Sequence, residues 1–254
     1  MNFRKDQPNS ASGAAFAALK REGFHFLHAT EMQAMLARAG GVEPGGWSAF
    51  ASSWHNMPVD TYMGDGGRYR SRRFAVFTAQ PEHSDVLRAP HAPHYQEPQF
   101  NLLNGGVERW FEPIPPEVTD TASFRSILLC CRDLFDALSP DCTWRIEVHQ
   151  FRIEADATFA GQPTPEGAHR DGVDWVLVLL VNRTNVARGE TTVYDLEQRS
   201  LGSFTLTAPL DAALVDDKRV LHGVTPVEPL DPTQPAHRDV LVVTFRRVDT
   251  VEAT

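Results

Sequence analysis

His169-Arg170-Asp171 and, well downstream, His222 at the head of His222-Gly223-Val224 are the residues of this chain best suited to chemistry. A His and an Asp two residues apart on a strand project from one face. A second His arriving from a distant strand would complete two imidazoles and one carboxylate around a single metal. Non-haem Fe(II) oxygenases use that ligand set, which leaves positions open for oxygen and a co-substrate. His-x-Asp alone is a weak signal, since a solvated surface pair produces it equally well.

Three neighbours strengthen it. His169-Arg170-Asp171-Gly172 stands at the mouth of the apolar run Trp175-Val176-Leu177-Val178-Leu179-Leu180-Val181, where polar groups are costly unless paired or ligated. Several strand-like segments separate the two ligand positions, so both can fall on one sheet. Arg238 opens a final strand, Asp239–Phe245, expected to neighbour the strand near His222. Its planar, permanently charged fork suits a small carboxylate co-substrate. Arg246 shares that strand face by period-2 counting and competes with Arg238, whereas His237 should point away.

The elements that must position these groups follow from periodicity. The first ~13 residues are polar and Gly-containing, as in a flexible arm. A helix over roughly Gly13 to Arg21 ends at Gly23, Phe24-His25-Phe26-Leu27 suits a short strand, and a second helix opens on the capping box Thr30-Glu31-Met32-Gln33. Arg72 to Phe77 has strand character; His91–His94 and Glu112–Pro116 read as irregular loops. Phe124, Ile127, Leu128, Cys131, Leu134, Phe135 and Leu138 mark one apolar face of a long helix that stops at Ser139-Pro140. Short Val-, Leu-, Ile- and Thr-rich segments follow near 143–153, 175–182, 190–196, 203–208, 211–216 and 239–247. They predict a mainly β fold with flanking α: a double-stranded β-helix (jelly-roll, cupin-like) core over about 143–248, braced by N-terminal helices, in one domain spanning 1–254.

The 254 residues carry a formal net charge of −9, which argues against nucleic acid or an anionic membrane as partner. No apolar run is long enough to span a bilayer, and the polar N-terminus lacks a secretion signal's apolar centre. The three cysteines, Cys130, Cys131 and Cys142, form no metal or disulfide pattern. A cytoplasmic location is therefore expected. A homo-oligomer is compatible with all of this.

The stretch from about residue 60 to 247 resembles the 2-oxoglutarate/Fe(II)-dependent dioxygenases, in particular the bacterial L-isoleucine dioxygenase-like family that hydroxylates free L-amino acids. The resemblance is carried by Glu166–Gly172, Leu180-Val181-Asn182-Arg183, Gly189–Asp195, Pro209–Asp217 and His222–Val227. Upstream, Asp60-x-Tyr62, Arg70-x-Arg72-Arg73-Phe74 and Phe100-Asn101 through Gly105-Gly106 contribute. It implies His169, Asp171 and His222 as iron ligands, Arg238 on the distal carboxylate of 2-oxoglutarate, and O2 as oxidant. Some 2-oxoglutarate oxygenases place a Ser two residues after that Arg; here Val240 stands there, so a hydroxyl partner is expected from Thr244 or a Tyr.

An amino-acid substrate needs an anion site and an ammonium site. Arg70, Arg72 and Arg73 are candidates for the first, Glu147 with its strand neighbour His149 for the second, and Asp60 and Tyr62 for supporting contacts. Each is equally ordinary as a surface or strand-edge residue. The expected reaction is hydroxylation of an unactivated side-chain carbon, with 2-oxoglutarate converted to succinate and CO2. The same chemistry on a carrier-bound or protein-bound amino acid, or on another small metabolite, is the alternative. A ligand-binding barrel without catalysis would require an incomplete triad.

Overall fold

The structure, a computed structural model, describes residues 10–41 and 46–248. Five helices and twelve strands follow one another: α1 (Ala11–Glu22), β1 (Phe24–Leu27), α2 (Ala29–Arg38), α3 (Gly46–Ser52), β2 (Arg70–Ala79), β3 (Val86–Arg88), α4 (Pro116–Thr119), α5 (Ala122–Leu138), β4 (Thr143–Ala155), β5 (Trp175–Thr184), β6 (Val186–Arg188), β7 (Glu190–Tyr194), β8 (Ser200–Thr205), β9 (Ala212–Asp216), β10 (Leu221–Val224), β11 (Val227–Pro229) and β12 (Ala236–Val248). Seven strands form one antiparallel sheet in the order β1-β9-β5-β12-β4-β2-β3, and a smaller sheet runs β10-β7-β8. The mainly β architecture with bracing helices is the one expected from the sequence.

Strand alternation assigns the two faces of the large sheet. Phe77 and Ala79 on β2, Ile146 and Val148 on β4, Leu177 and Leu179 on β5, and Leu241, Val243 and Phe245 on β12 share one apolar cluster with the helices. α5 supplies much of its cover: Thr121 caps its first turn by accepting from the Phe124 amide, and Phe135 stacks on Trp175 at 5.5 Å. Full burial of such a ring stabilises the fold by about 1.5–3 kcal/mol. The alternate residues of the same strands face the small sheet. There Val176, Val193, Val215 and Val220 form a second apolar cluster joining the two sheets, and the polar cavity described below opens beside it.

Several expectations shift. α1 begins at Ala11, capped by Ser10, so residues 10–13 are not arm; the rest of the expected arm, residues 1–9, lies outside the described residues. α2 starts one residue before Thr30, because the Glu31 carboxylate accepts from the His28 amide instead. The short strands β3, β6, β10 and β11 carry too few residues to show a period. Strand β12 pairs with β4 and β5, not with the strand that bears His222. Among the described residues no helix is long and apolar enough to cross a membrane.

Candidate metal and co-substrate site

His222 lies on β10, paired opposite Val193 of β7. His169 and Asp171 are not on a strand, contrary to expectation, but in the loop that leads into β5. A single antiparallel bridge supplies the register that a strand was expected to provide. The His169 amide donates to His222 O and the His222 amide to His169 O, each at 3.0 Å. The two imidazoles are thereby set side by side, with ring centroids 4.6 Å apart.

Asp171 is aimed by a second device. The Asp217 carboxylate accepts from three successive amides, Asp171, Gly172 and Val173, at 2.8, 2.8 and 3.0 Å. Burial and the neighbouring Asp171 charge push Asp217 up to about 7 against those donors. Gly172 turns at a φ of +80°, and a Cβ there would meet the Phe100 ring at 2.6 Å. Only glycine fits that corner.

The donor atoms converge without bonding one another. His169 Nε2 is 3.7 Å from one Asp171 oxygen and His222 Nε2 is 3.8 Å from the other. One ligand atom from each residue can be chosen so that all lie within 4.8 Å. These separations exceed a hydrogen bond yet suit one cation about 2 Å from each atom. His169 Nδ1 donates to Gly167 O at 3.0 Å, which leaves the Nε2 lone pair directed at the centre. Burial lowers both histidines, but the Asp171 carboxylate facing His169 outweighs it there, raising it to about 9, while His222 falls to about 4.

The same cavity, of about 260 Å³, runs on to Arg238. That guanidinium is 2% exposed, and its Nε and Nη2 have no hydrogen-bond partner among the described residues. Burial, then the adjacent Arg183, depresses it to about 10. A buried fork without an acceptor is unstable unless a ligand supplies one. Thr244 also lines the cavity, but it stands six residues further along the same strand, roughly 20 Å at the usual rise. It therefore cannot share a small carboxylate with Arg238, and the hydroxyl expected from Thr244 is not available there. Arg246 likewise sits at the far end of the cavity-facing row, and His237 points away, to Asn182.

The β2–β4 side of the cavity gathers most of the remaining sequence candidates. Asp60 Oδ2 accepts from Arg70 Nε and Nη2 at 2.9 and 2.7 Å. Burial would raise the Asp60 carboxyl, but Arg70 and Arg72 outweigh it and hold it below the usual range. Arg72 donates to His149 Nδ1 at 2.8 Å, and burial with that charge keeps His149 neutral. Glu147 accepts from His94 Nδ1 at 2.7 Å and from Arg145 at 2.9 Å. Two candidates are not brought in. Arg73 faces the helices, where it pairs with Glu112, and Tyr62 packs on Phe111 with its hydroxyl accepting from the Trp110 amide. Asp60 is reached only through the arginines. Residues missed as site members are His94, Gln96 and Arg109, all in the aperiodic segment before α4, together with Glu166 and Asp217, which the family-like motifs contain.

A sequence model of the 2OG-Fe dioxygenase family matches residues 51–244, and the chain belongs to that family. It is thus an oxidoreductase that uses Fe(II), 2-oxoglutarate and O2. Over 197 residues, 76% of this chain and 78% of the relative, it is 25% identical to the 3(1)-hydroxy-L-isoleucine 4-dioxygenase of Pantoea ananatis (strain AJ13355). It is 26% identical over 204 residues, 78% of this chain and 81% of the relative, to the L-isoleucine-4-hydroxylase of Bacillus thuringiensis. Among solved structures, a bsmA homolog from Methylobium petroleophilum PM1 aligns over 92% of each chain at 37% identity, with a TM-score of 0.81.

Proposed function

We propose that the chain, acting as one catalytic domain, hydroxylates a free L-amino acid at an unactivated side-chain carbon. His169, Asp171 and His222 hold the iron in this reading, and Arg238 holds the distal carboxylate of 2-oxoglutarate. One observation carries it: three converging ligand atoms and a buried, acceptor-less guanidinium open on the same cavity. The activities named for the two relatives above support the substrate class, with L-isoleucine the first amino acid to try.

Bound iron supplies the oxygen activation: one oxygen atom of O2 ends in succinate as 2-oxoglutarate loses CO2, and the other enters a C–H bond of the substrate. The protein's own residues bind, aim and exclude water. Asp217 and the His169–His222 bridge fix the ligands before any metal arrives. Arg238 orients the co-substrate by its far end, and Val173, Val178 and Val242 line the cavity with apolar surface. A cavity of about 260 Å³ suits a co-substrate and one small metabolite better than a macromolecular segment.

The test is incubation of the purified protein with Fe(II), 2-oxoglutarate, O2 and pooled L-amino acids, read by mass. The expected result is one amino acid gaining one oxygen, matched by one succinate. If every pool stays blank while succinate forms at its background rate, the free-amino-acid reading is overturned.

A further inference from the structure

An amino acid carries a carboxylate and an ammonium, and the lining of the cavity holds a cation and an anion that no ion pair joins. Arg109 is buried; its Nη2 donates to Gln96 Oε1 at 2.9 Å, while its Nε has no partner among the described residues. Arg72 beside it is spent on His149 and on the Phe111 ring, 3.9 Å beneath its guanidinium carbon, and its Nε is also without a partner. Among the described residues neither guanidinium reaches a carboxylate at hydrogen-bond distance: Asp60 is engaged by Arg70 and stays 3.9 Å from Arg72. Burial, and then the charge of Arg70, depress the Arg109 guanidinium, as expected where positive charge is in surplus.

Glu166 lines the same cavity. Its Oε2 is buried with no partner among the described residues, and its Oε1 has only His169 Nδ1, at 3.4 Å. Glu166 and Arg109 act on each other electrostatically, yet no ion pair joins them. Leaving Arg109 Nε and Glu166 Oε2 buried without partners in one cavity is costly, unless something small and doubly charged fits between. Glu147, expected from the sequence to take the ammonium, has both oxygens occupied by Arg145 and His94.

We infer that the substrate's head group is a zwitterion held between Arg109 and Glu166. Its carboxylate accepts from Arg109 Nε, with Arg72 adding positive charge, and its ammonium donates to Glu166 Oε2. This rests on the amino-acid reading above and narrows it to substrates with both α-groups free. A carrier thioester or a residue within a peptide lacks the carboxylate. Gln96 ties this head site to the metal site, because its Nε2 lies 3.4 Å from both the main-chain oxygen and Oδ1 of Asp171.

The test is calorimetric and needs no turnover: the protein loaded with Mn(II) and 2-oxoglutarate is titrated with L-isoleucine, L-isoleucinamide and 3-methylpentanoate. If the screen selects another amino acid, the corresponding trio replaces them. Wild type should bind the amide and the deamino acid about 100-fold more weakly than the amino acid. R109M should weaken the amino acid about 100-fold but leave the amide as in wild type, and E166Q should do the same with the deamino acid spared. Binding of 2-oxoglutarate should be unchanged in both. E166Q is isosteric, so it keeps the test open if R109M fails to fold. Equal losses for the amino acid and its amide in R109M, or an unchanged amino-acid affinity in both variants, would overturn the head site while leaving the hydroxylase reading intact. A chain that oxidises no amino acid overturns both.

Discussion

Arg70 and Arg238 stand at one level of the large sheet, on either side of Ile153, and both are buried. Arg70 has its carboxylate, Asp60, built in. Arg238 has none among the described residues. The same side chain in the same layer thus does two things. On the β2 side a completed ion pair holds the cavity wall; on the β12 side the guanidinium has no carboxylate among the described residues, the arrangement on which its proposed co-substrate role rests. Burial by itself does not distinguish architecture from function, but the state of the polar atoms does.

The contrast makes predictions that can break it. R238M should raise the Kd for 2-oxoglutarate by about 100-fold or more, leave metal affinity unchanged, and cost little thermal stability, because an unpaired buried charge is removed. R70M should do the reverse: it strands Asp60 and should destabilise the fold by about 3–5 kcal/mol in denaturant unfolding, with 2-oxoglutarate affinity little changed. Equal effects of the two on co-substrate binding would dissolve the distinction.

D217A removes the acceptor of three loop amides and should cost about 10- to 100-fold in metal affinity, measured by Mn(II) titration. The acid limb of stability sharpens the comparison further. Asp60 is held below its unfolded value, so its contribution is present above about pH 4 and is lost as pH falls through the folded value. R70M should shrink that limb, whereas R238M should leave it intact. R73A, on the opposite face of β2 from Arg72, should change no ligand affinity; it removes donors to the Ser53 and Asn56 carbonyls and should cost about 1–2 kcal/mol of stability.

How far the sequence reveals these arrangements depends on whether a pattern is local. The α5 face and the buried run of β5 show their own period. The convergence of His169, Asp171 and His222, the proposed iron ligands, is partly legible because His169-Arg170-Asp171 is a compact motif beside an apolar strand. The loop placement of His169 and Asp171 is not legible, since one bridge to His222 does the work expected of a strand. Arg72 and Arg73 differ only in which sheet face they occupy. Alternation says they differ, but only the β4 pairing says which one meets the cavity. Arg109 and Gln96 lie in a segment without period, and Glu147 looks available until His94, far away in sequence, is found bonded to it.

The most direct test of the account is the ratio of succinate to hydroxylated amino acid formed by wild type and by D171A, each with saturating Fe(II) and 2-oxoglutarate. Wild type should give a ratio near one, and D171A should lose both products together with its metal affinity. Coupled turnover persisting in D171A would contradict the account.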